Sequence, residues 1–518
     1  MPRSSRSPKQ TGIHSTPTVN TTTCTTLQTT RLNGLHISSH FSGYQQSNWA
    51  GCAATGENCA MTFTVPDLTT PLERECRQGN VPTKYVGARG VEDIQKTLGL
   101  VKGKGVRLVV KNTGHDYLGK SSGVGALGLW THNIQPPIEL TREFVPDECS
   151  EAVGNVIIFG AGQQFAGVYD VGVAGGWLAG GGHSMQSNEL GLGVDNVQQI
   201  KAVLPNGTYI TASRCQNQDI FFALRGGGGG TFGVVTEISY SVHPKKPMQF
   251  ARVAIAGLDE DDILPAAVGG VSTISLGTTL LDIDEARVSM QPLIDFANRP
   301  VESGTLGNAS VITADYFNIL QGVMARSEEL ILPSSAWAFS SRLVPRGFFV
   351  GDNQQQLAST LHDILTTAQE QDVAASSDLL MYAVTPNLYS RTMPESGLPG
   401  GPGASSVTPA WRNGLWHVIF TRQFEGTTTD PDVVQKVWQT THDIMNPLRD
   451  ITPTGGAYQN EADPFEPDAV RSFWGEENYA RLLRIKKEVD PTNFLTVHGA
   501  IGWDETDERY SCYTDVKV

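Results

Sequence analysis

Apolar and polar positions alternate regularly in several stretches of the chain and lose that order between them. From Lys84 the short run KYVGA precedes VEDIQKTLGL, where Val91, Ile94, Leu98 and Val101 recur at helical spacing. A second apolar run, Val106, Leu108, Val109 and Val110, stops at Lys111-Asn112-Thr113-Gly114. Strand, helix over 91–100, strand over 106–110 and glycine turn predict a small α/β unit. Its last strand opens into a tight turn able to aim backbone N–H groups at an anion.

Further on, IKAVLP and TYITA flank Asn206-Gly207, a hairpin signal. DIFFALR reads as a helix and GVVTEISYSV as a strand, with five glycines at 226–230 between them. That position favours a rigid cofactor loop over a flexible linker. Residues 172–197, GVAGGWLAGGGHSMQSNELGLGVDNV, are equally glycine-dense. Each glycine in a regular element costs roughly 0.5–1 kcal/mol relative to alanine, and close backbone approach to a ligand is the expected compensation. Beyond 246 the strand candidates are ARVAIAG, SVITADYF, WAFSSRLVP and LWHVIFTRQF, with a helix at Asp352 to Glu370 and an exposed loop at 395–406. Residues 1–30, rich in Ser, Thr and Pro, read as a mobile tail.

At 518 residues the chain allows about two to four domains. A formal charge of −15 argues against nucleic acid or an anionic membrane as partner. No apolar run reaches the ~18 residues of a membrane span, and the first residues lack the apolar core of a signal peptide. The cysteines at 24, 52, 59, 76, 149, 215 and 512 include no C-x-x-C, so no metal site is expected. Sequons at Asn20, Asn206 and Asn308 hint at an oxidising compartment, the start of the chain argues the other way, and localisation stays open.

Two phosphate motifs compete in one loop. Residues 114–121, GHDYLGKS, fit the P-loop pattern and would make the chain an ATPase, but the SSGVGALG that follows is a poor helix former. GVGALG at 123–128 fits G-x-G-x-x-G, yet lies past the strand and opens no helix.

A third reading uses more of the chain. KNTGHDYLGKSSGVGALGLWTHN, then GLGVDNV and QDIFFALRGGGGGTFGVVT, then AYQN and NYARLLRIKKEVDPTN follow one another in order. Together they resemble the FAD-linked oxidoreductases of the vanillyl-alcohol oxidase or PCMH type, in the fungal isoamyl-alcohol-oxidase-like and berberine-bridge-enzyme-like branch. Phe494 sits one place early against that pattern. The resemblance implies an α+β, two-domain fold. A discontinuous flavin domain takes residues 31–245 and a returning segment 456–518, and a substrate domain on an antiparallel sheet takes 246–455.

It also implies FAD joined covalently to His115. Bicovalent relatives carry a cysteine eight residues before a Gly-Gly-His; here Gly175-Gly176-Trp177 fills that place, and counting back gives Tyr169. A single covalent bond is therefore expected. The other flavin contacts implied are Lys111, Asn112, Thr113, Gly114 and Asp116 in the first loop, Gly181, Gly182, Gly193, Asn196 and Val197 in the second, then Phe232, Gly233, Val235 and Asn493. Secreted relatives place disulfide cysteines much as Cys52, Cys59 and Cys76 lie here.

The activity implied is oxidation of an alcohol or secondary-metabolite substrate, with hydride passing to flavin N5 and O2 reduced to H2O2. Tyr458 is the first candidate for the base, paired with Asn460 on one face of a strand. Glu461 is second, on the opposite face and needing a raised pKa, and His417 third. Trp337, Phe339, Tyr382, Trp411 and Trp416 are candidate substrate neighbours. Redox-neutral or oxidative-cyclising chemistry, and a non-catalytic binder that kept the fold, are the alternatives. The expected partners are a small-molecule substrate and O2, in a monomer or weak homodimer.

Overall fold

The computed structural model describes residues 33–60, 77–164, 171–245, 336–371, 376–392, 404–504 and 510–518, together with 4–6, 26, 29–30, 249–256, 272–278, 281–302 and 310–317. By compactness the chain forms two units: residues 1–242, 332–346 and 373–518, and residues 243–331 and 347–372.

In the first unit, helix Val91–Lys104 buries Ile94, Leu98 and Val101, carries Glu92 and Asp93 in its first turn and Lys102 and Lys104 in its last. These charges complement the helix dipole. It runs four residues past the expected end because its stop is Gly105, at φ 61°, whose N–H returns to Val101 O. Strands Lys84–Gly87 and Leu108–Lys111 both pair in parallel with Leu127–Trp130, which lies between them. Ser4–Arg6, within the stretch expected as a tail, pairs antiparallel with Lys84–Val86.

A second sheet is antiparallel, in the order Glu139–Thr141, Val156–Gly160, Val234–Ser241, Val197–Val203 and Tyr209–Ser213. The Asn206-Gly207 hairpin forms as expected, with Gly207 at φ 88°. Ile200, Val203, Phe221, Phe222 and Ile238 share one core with Leu482, Ile485, Leu495 and Ile501 of the C-terminal segment. That segment turns sharply at Asp490, whose carboxylate accepts the N–H groups of Phe494 and Leu495 and the buried Lys486 ammonium. Asn493 belongs to this turn, at φ 48°, its Nδ2 donating to Gly502 O.

A third sheet, Ala336–Pro345, Gly414–Phe424 and Ser376–Tyr382 in that order, is antiparallel and belongs to the first unit. The second unit holds the antiparallel strands Ser272–Thr278, Gln249–Ala256 and Ser310–Phe317 and helices Ile283–Glu302 and Asp352–Glu370. The expected 395–406 loop is described only at 404–406, and there it is buried rather than exposed: Ser406 Oγ donates to Phe222 O and Arg225 O.

Candidate active site

The strand Leu108–Lys111 ends in a turn that few sequences could make. Gly114 sits at φ 82°, and a Cβ there would lie 2.7 Å from Lys111 Cε and 2.9 Å from Gly43 O. The turn is tied down by Trp130 Nε1 donating to Asn112 O and by Asn112 Nδ2 donating to Ala161 O, at 2.8 and 2.6 Å. His115 is thereby directed into a cavity, its ring edge-on to Tyr117 with Nε2 3.2 Å from the Tyr117 hydroxyl.

Further parts of the wall are glycine. Gly172, Gly175, Gly176, Gly228, Gly229 and Gly230 line the cavity. A Cβ on Gly229 would come within 3.5 Å of Gly176 Cα, and one on Gly172 within 2.3 Å of Asn112 Nδ2. Side chains here would fill the slot, which is the physical reason for so much glycine. Asn112 Oδ1 is buried in the wall with no hydrogen-bond partner, the kind of group a bound polar ligand satisfies.

The P-loop reading fails on the same ground. The amides of Leu118 and Ser121, which a phosphate would need, donate to the Asp116 carboxylate at 3.1 and 3.0 Å. Lys120 Nζ donates to Gln459 O, and the chain proceeds by turns into strand Leu127–Trp130 instead of a helix.

Of the residues expected at the flavin, Asn112, Thr113, Gly114, His115, Asp116, Gly233 and Val235 line the cavity, as do Tyr458, Asn460 and Glu461. Others stand behind its wall. Lys111 is fully buried and points away, donating to His40 O and Thr113 O beneath the rings of Phe41, Tyr44 and Trp130. Gly182 and Gly193 leave room for the Trp177 indole, which a Cβ on either would meet at 3.1 and 2.8 Å. Gly181 packs near Val407 and Tyr458. Asn196 Nδ2 donates to Leu190 O and Leu192 O. Val197 and Phe232 are core, and Asn493 serves the C-terminal turn. The glycine runs at 172–197 and 226–230, expected from the sequence to approach a ligand and to form a cofactor loop, supply Gly172, Gly175, Gly176, Gly228, Gly229 and Gly230 to the cavity lining.

The catalytic candidates meet differently from expectation. Residues 458–461 are a turn, not a strand, closed by Glu461 N–H donating to Tyr458 O at 2.9 Å. Glu461 therefore curls back towards Tyr458 instead of opposing it. Tyr458 donates to Trp177 O and accepts from Asn460 Nδ2, which also donates to Gly176 O. Burial, reinforced by the Glu461 charge, pushes the Tyr458 phenol well above its ordinary value, so it is a poor base.

Glu461 is the better-placed candidate. Its Oε2 accepts from His183 Nε2 at 3.0 Å and lies 3.7 Å from His417 Nδ1. Burial pushes the carboxyl up, but His183, by charge and hydrogen bond, outweighs it and holds the group below the usual carboxylate value. The condition set for Glu461 from sequence, a raised pKa, is thus reversed. His417 is fully buried on strand Gly414–Phe424 and desolvation lowers its imidazole to about 3, so it is neutral and does not line the cavity. His183 was not among the expected site residues, yet it follows three glycines much as His115 follows one. Among the candidate aromatics, Trp411 packs on His183 and His417, and Phe339 on Tyr117.

Known proteins share these features. A family model described as FAD binding domain matches residues 82–213, and one described as berberine and berberine like matches 457–502. An FAD-linked oxidoreductase of Phaeosphaeria nodorum is 34% identical over 298 residues, covering 50% of this chain and 68% of the relative. The chain belongs to the FAD-linked oxidoreductases. FAD is therefore the cofactor of this FAD-linked oxidoreductase, and the glycine-walled cavity with its unsatisfied Asn112 oxygen fits such a ligand. The VAO-type flavoprotein MtVAO713 from Myceliophthora thermophila is 22% identical with a TM-score of 0.78, the match covering 96% of this chain and 91% of that one. A glucooligosaccharide oxidase from Acremonium strictum, described with a 6-S-cysteinyl, 8α-N1-histidyl FAD, is 16% identical with a TM-score of 0.61 over 81% and 92%. These likenesses establish the α+β, VAO-type fold implied by the motifs. No described helix is long and apolar enough to cross a membrane.

Proposed function

We propose that this FAD-linked oxidoreductase is an oxidase of an alcohol or related secondary metabolite, passing the electrons on to O2 to give H2O2. The observation that carries the reading is an ionised carboxylate, Glu461, backed by His183, on the wall of the cavity into which His115 points. Bound FAD supplies the two-electron acceptor to which a hydride leaves the substrate carbon. Glu461 takes the hydroxyl proton, so that the alcohol carbon becomes a carbonyl as both hydrogens depart. His183 holds the carboxylate in place and ionised. Tyr458 and Asn460 fix the turn that presents it, through Trp177 O and Gly176 O.

His115 is the residue we assign to a covalent histidyl bond with the flavin, the counterpart of the histidyl half of the Acremonium linkage. A cysteinyl half has no counterpart, because the residue at the matching position is Tyr169; Tyr169 lies outside the described residues. Holding the cofactor by one bond still prevents its loss during turnover. The test is H2O2 production from a panel of primary and secondary alcohols under air. Sustained peroxide matched to carbonyl product supports the reading, and turnover only with an artificial acceptor refutes the oxidase assignment.

A further inference from the structure

His183, His417 and Glu461 come from three separate parts of the first unit: a loop after a glycine triplet, the middle strand of the third sheet, and the turn at 458–461. Each offers one ligand atom, and these atoms all lie within 4.8 Å of one another. The nearest pair is His183 Nε2 and Glu461 Oε2 at 3.0 Å, and His417 Nδ1 is 3.7 Å from the same oxygen. Around a tetrahedral zinc ion with bonds of about 2.0–2.1 Å, ligand atoms stand roughly 3.3 Å apart, so side-chain adjustments of less than an ångström bring the three into a coordination sphere.

The second observation concerns His417. Its side chain is completely buried, yet neither ring nitrogen has a hydrogen-bond partner. Buried polar groups are nearly always satisfied, and an imidazole left open beside a histidine and a carboxylate points to a ligand between them. Trp411 and Tyr458 pack around the cluster and form an apolar shell that strengthens electrostatic attraction inside it. Two imidazoles and one carboxylate suit a borderline cation of the zinc class, whereas magnesium and calcium prefer all-oxygen sites.

We propose that His183, His417 and Glu461 form a binding site for one zinc-class divalent cation. The three ligands lie far apart in the chain, at 183, 417 and 461, so no local motif marks the site. The consequence for turnover rests on the function proposed above: a cation seated on Glu461 occupies the carboxylate that takes the substrate proton, so zinc acts as a reversible inhibitor.

The test uses the flavin-loaded full chain, treated with chelator, freed of it, and dialysed against zinc chloride. Zinc per flavin is then measured by mass spectrometry. The result expected is about one zinc per chain, with affinity lowered at least about tenfold in His183→Gln and His417→Gln, the smallest loss seen when even outer-shell partners of a metal site are removed. The flavin spectrum and melting temperature of each variant show that it is folded, and partly exposed His183 provides the variant least able to disturb the core. Magnesium chloride in place of zinc should give no stoichiometric binding. Wild-type protein that takes up no zinc, or variants that bind it as tightly as wild type, overturn the site. Stoichiometric zinc that leaves turnover unchanged keeps the site and overturns Glu461 as the proton acceptor.

Discussion

His183 Nε2 donates a 3.0 Å hydrogen bond to Glu461 Oε2 across 278 residues of sequence. On the function proposed above, this contact favours the carboxylate, rather than the neighbouring phenol, as the group that takes the substrate proton. Replacing Glu461 by Gln keeps the shape and the hydrogen-bonding reach but removes the base. The turnover number should fall by about 10²–10⁴, the usual worth of a positioned base, while the flavin absorbance per protein stays at the wild-type level. Tyr458→Phe should cost much less, because the phenol hydrogen-bonds Trp177 O, Asn460 and the Gly182 backbone and serves to hold the turn. Steady-state peroxide assays beside visible spectra compare the two, and a larger loss in Tyr458→Phe would return the base to the tyrosine.

Gly229 lines the cavity beside Gly176, and its first added carbon would make an ordinary 3.5 Å contact there. Gly229→Val is therefore expected to fold, with its extra methyl groups projecting into the space needed by the cofactor. Its ratio of flavin to protein, read from visible and ultraviolet absorbance, should drop several-fold with little change in circular dichroism. Wild-type loading would show that FAD lies elsewhere.

Arg412 grips Asp195 with both terminal nitrogens, at 2.7 and 2.6 Å, and the Asp195 side chain is fully buried. The same carboxylate accepts Leu192 N–H, so it locks the loop that carries Trp177's packing partner Gly193. Asp195→Ala leaves the part-buried Arg412 guanidinium without its anion. A loss of ~3–5 kcal/mol is expected from breaking such a pair, measured as a shift of the urea midpoint at unchanged slope.

Lys111 gives a pH signature. Burial lowers its ammonium from 10.5 to about 7. Below about 7 folded and unfolded chains both carry the proton, and the cost of burying the charge is present in full. Between about 7 and 10.5 the unfolded chain holds the extra proton, so this residue's contribution to stability improves as pH rises. Lys111→Met lacks that slope: its stability relative to wild type should be most favourable below this window and decline through it. Urea melts on either side of the window test the sign, and the variant should keep its flavin because the ammonium faces away from the cavity.

Most of the fold was legible in the sequence, and the reasons are local. The 352–370 helix and the 310–317 strand have the expected bounds because periodicity and flanking residues agree there. The Asn206-Gly207 hairpin needs only its own turn chemistry. Asn112 to Asp116 line the cavity, and the strand-to-glycine transition that places them there is written in adjacent residues. Lys111 was misplaced by one step: it shares the buried side of Val109, and only strand parity distinguishes it from Asn112. The turn at 458–461 was misread as a strand because Tyr-x-Asn mimics a two-residue period. What bends it are distant groups, with Gln459 Nε2 donating to Gly226 O and Asn460 Nδ2 to Gly176 O. The site around Glu461 was hidden for the same reason, since His183 and His417 reach it through tertiary contacts alone.

On the function proposed above, His115 holds FAD in this cavity by a covalent bond. The most direct measurement is the visible spectrum of the purified protein, repeated on pellet and supernatant after acid precipitation, for wild type and His115→Ala. Flavin absorbance is expected in the wild-type pellet, with its release to the supernatant, or its loss during purification, in the variant. Flavin freed from wild type by acid, or retained in the pellet of His115→Ala, would contradict it.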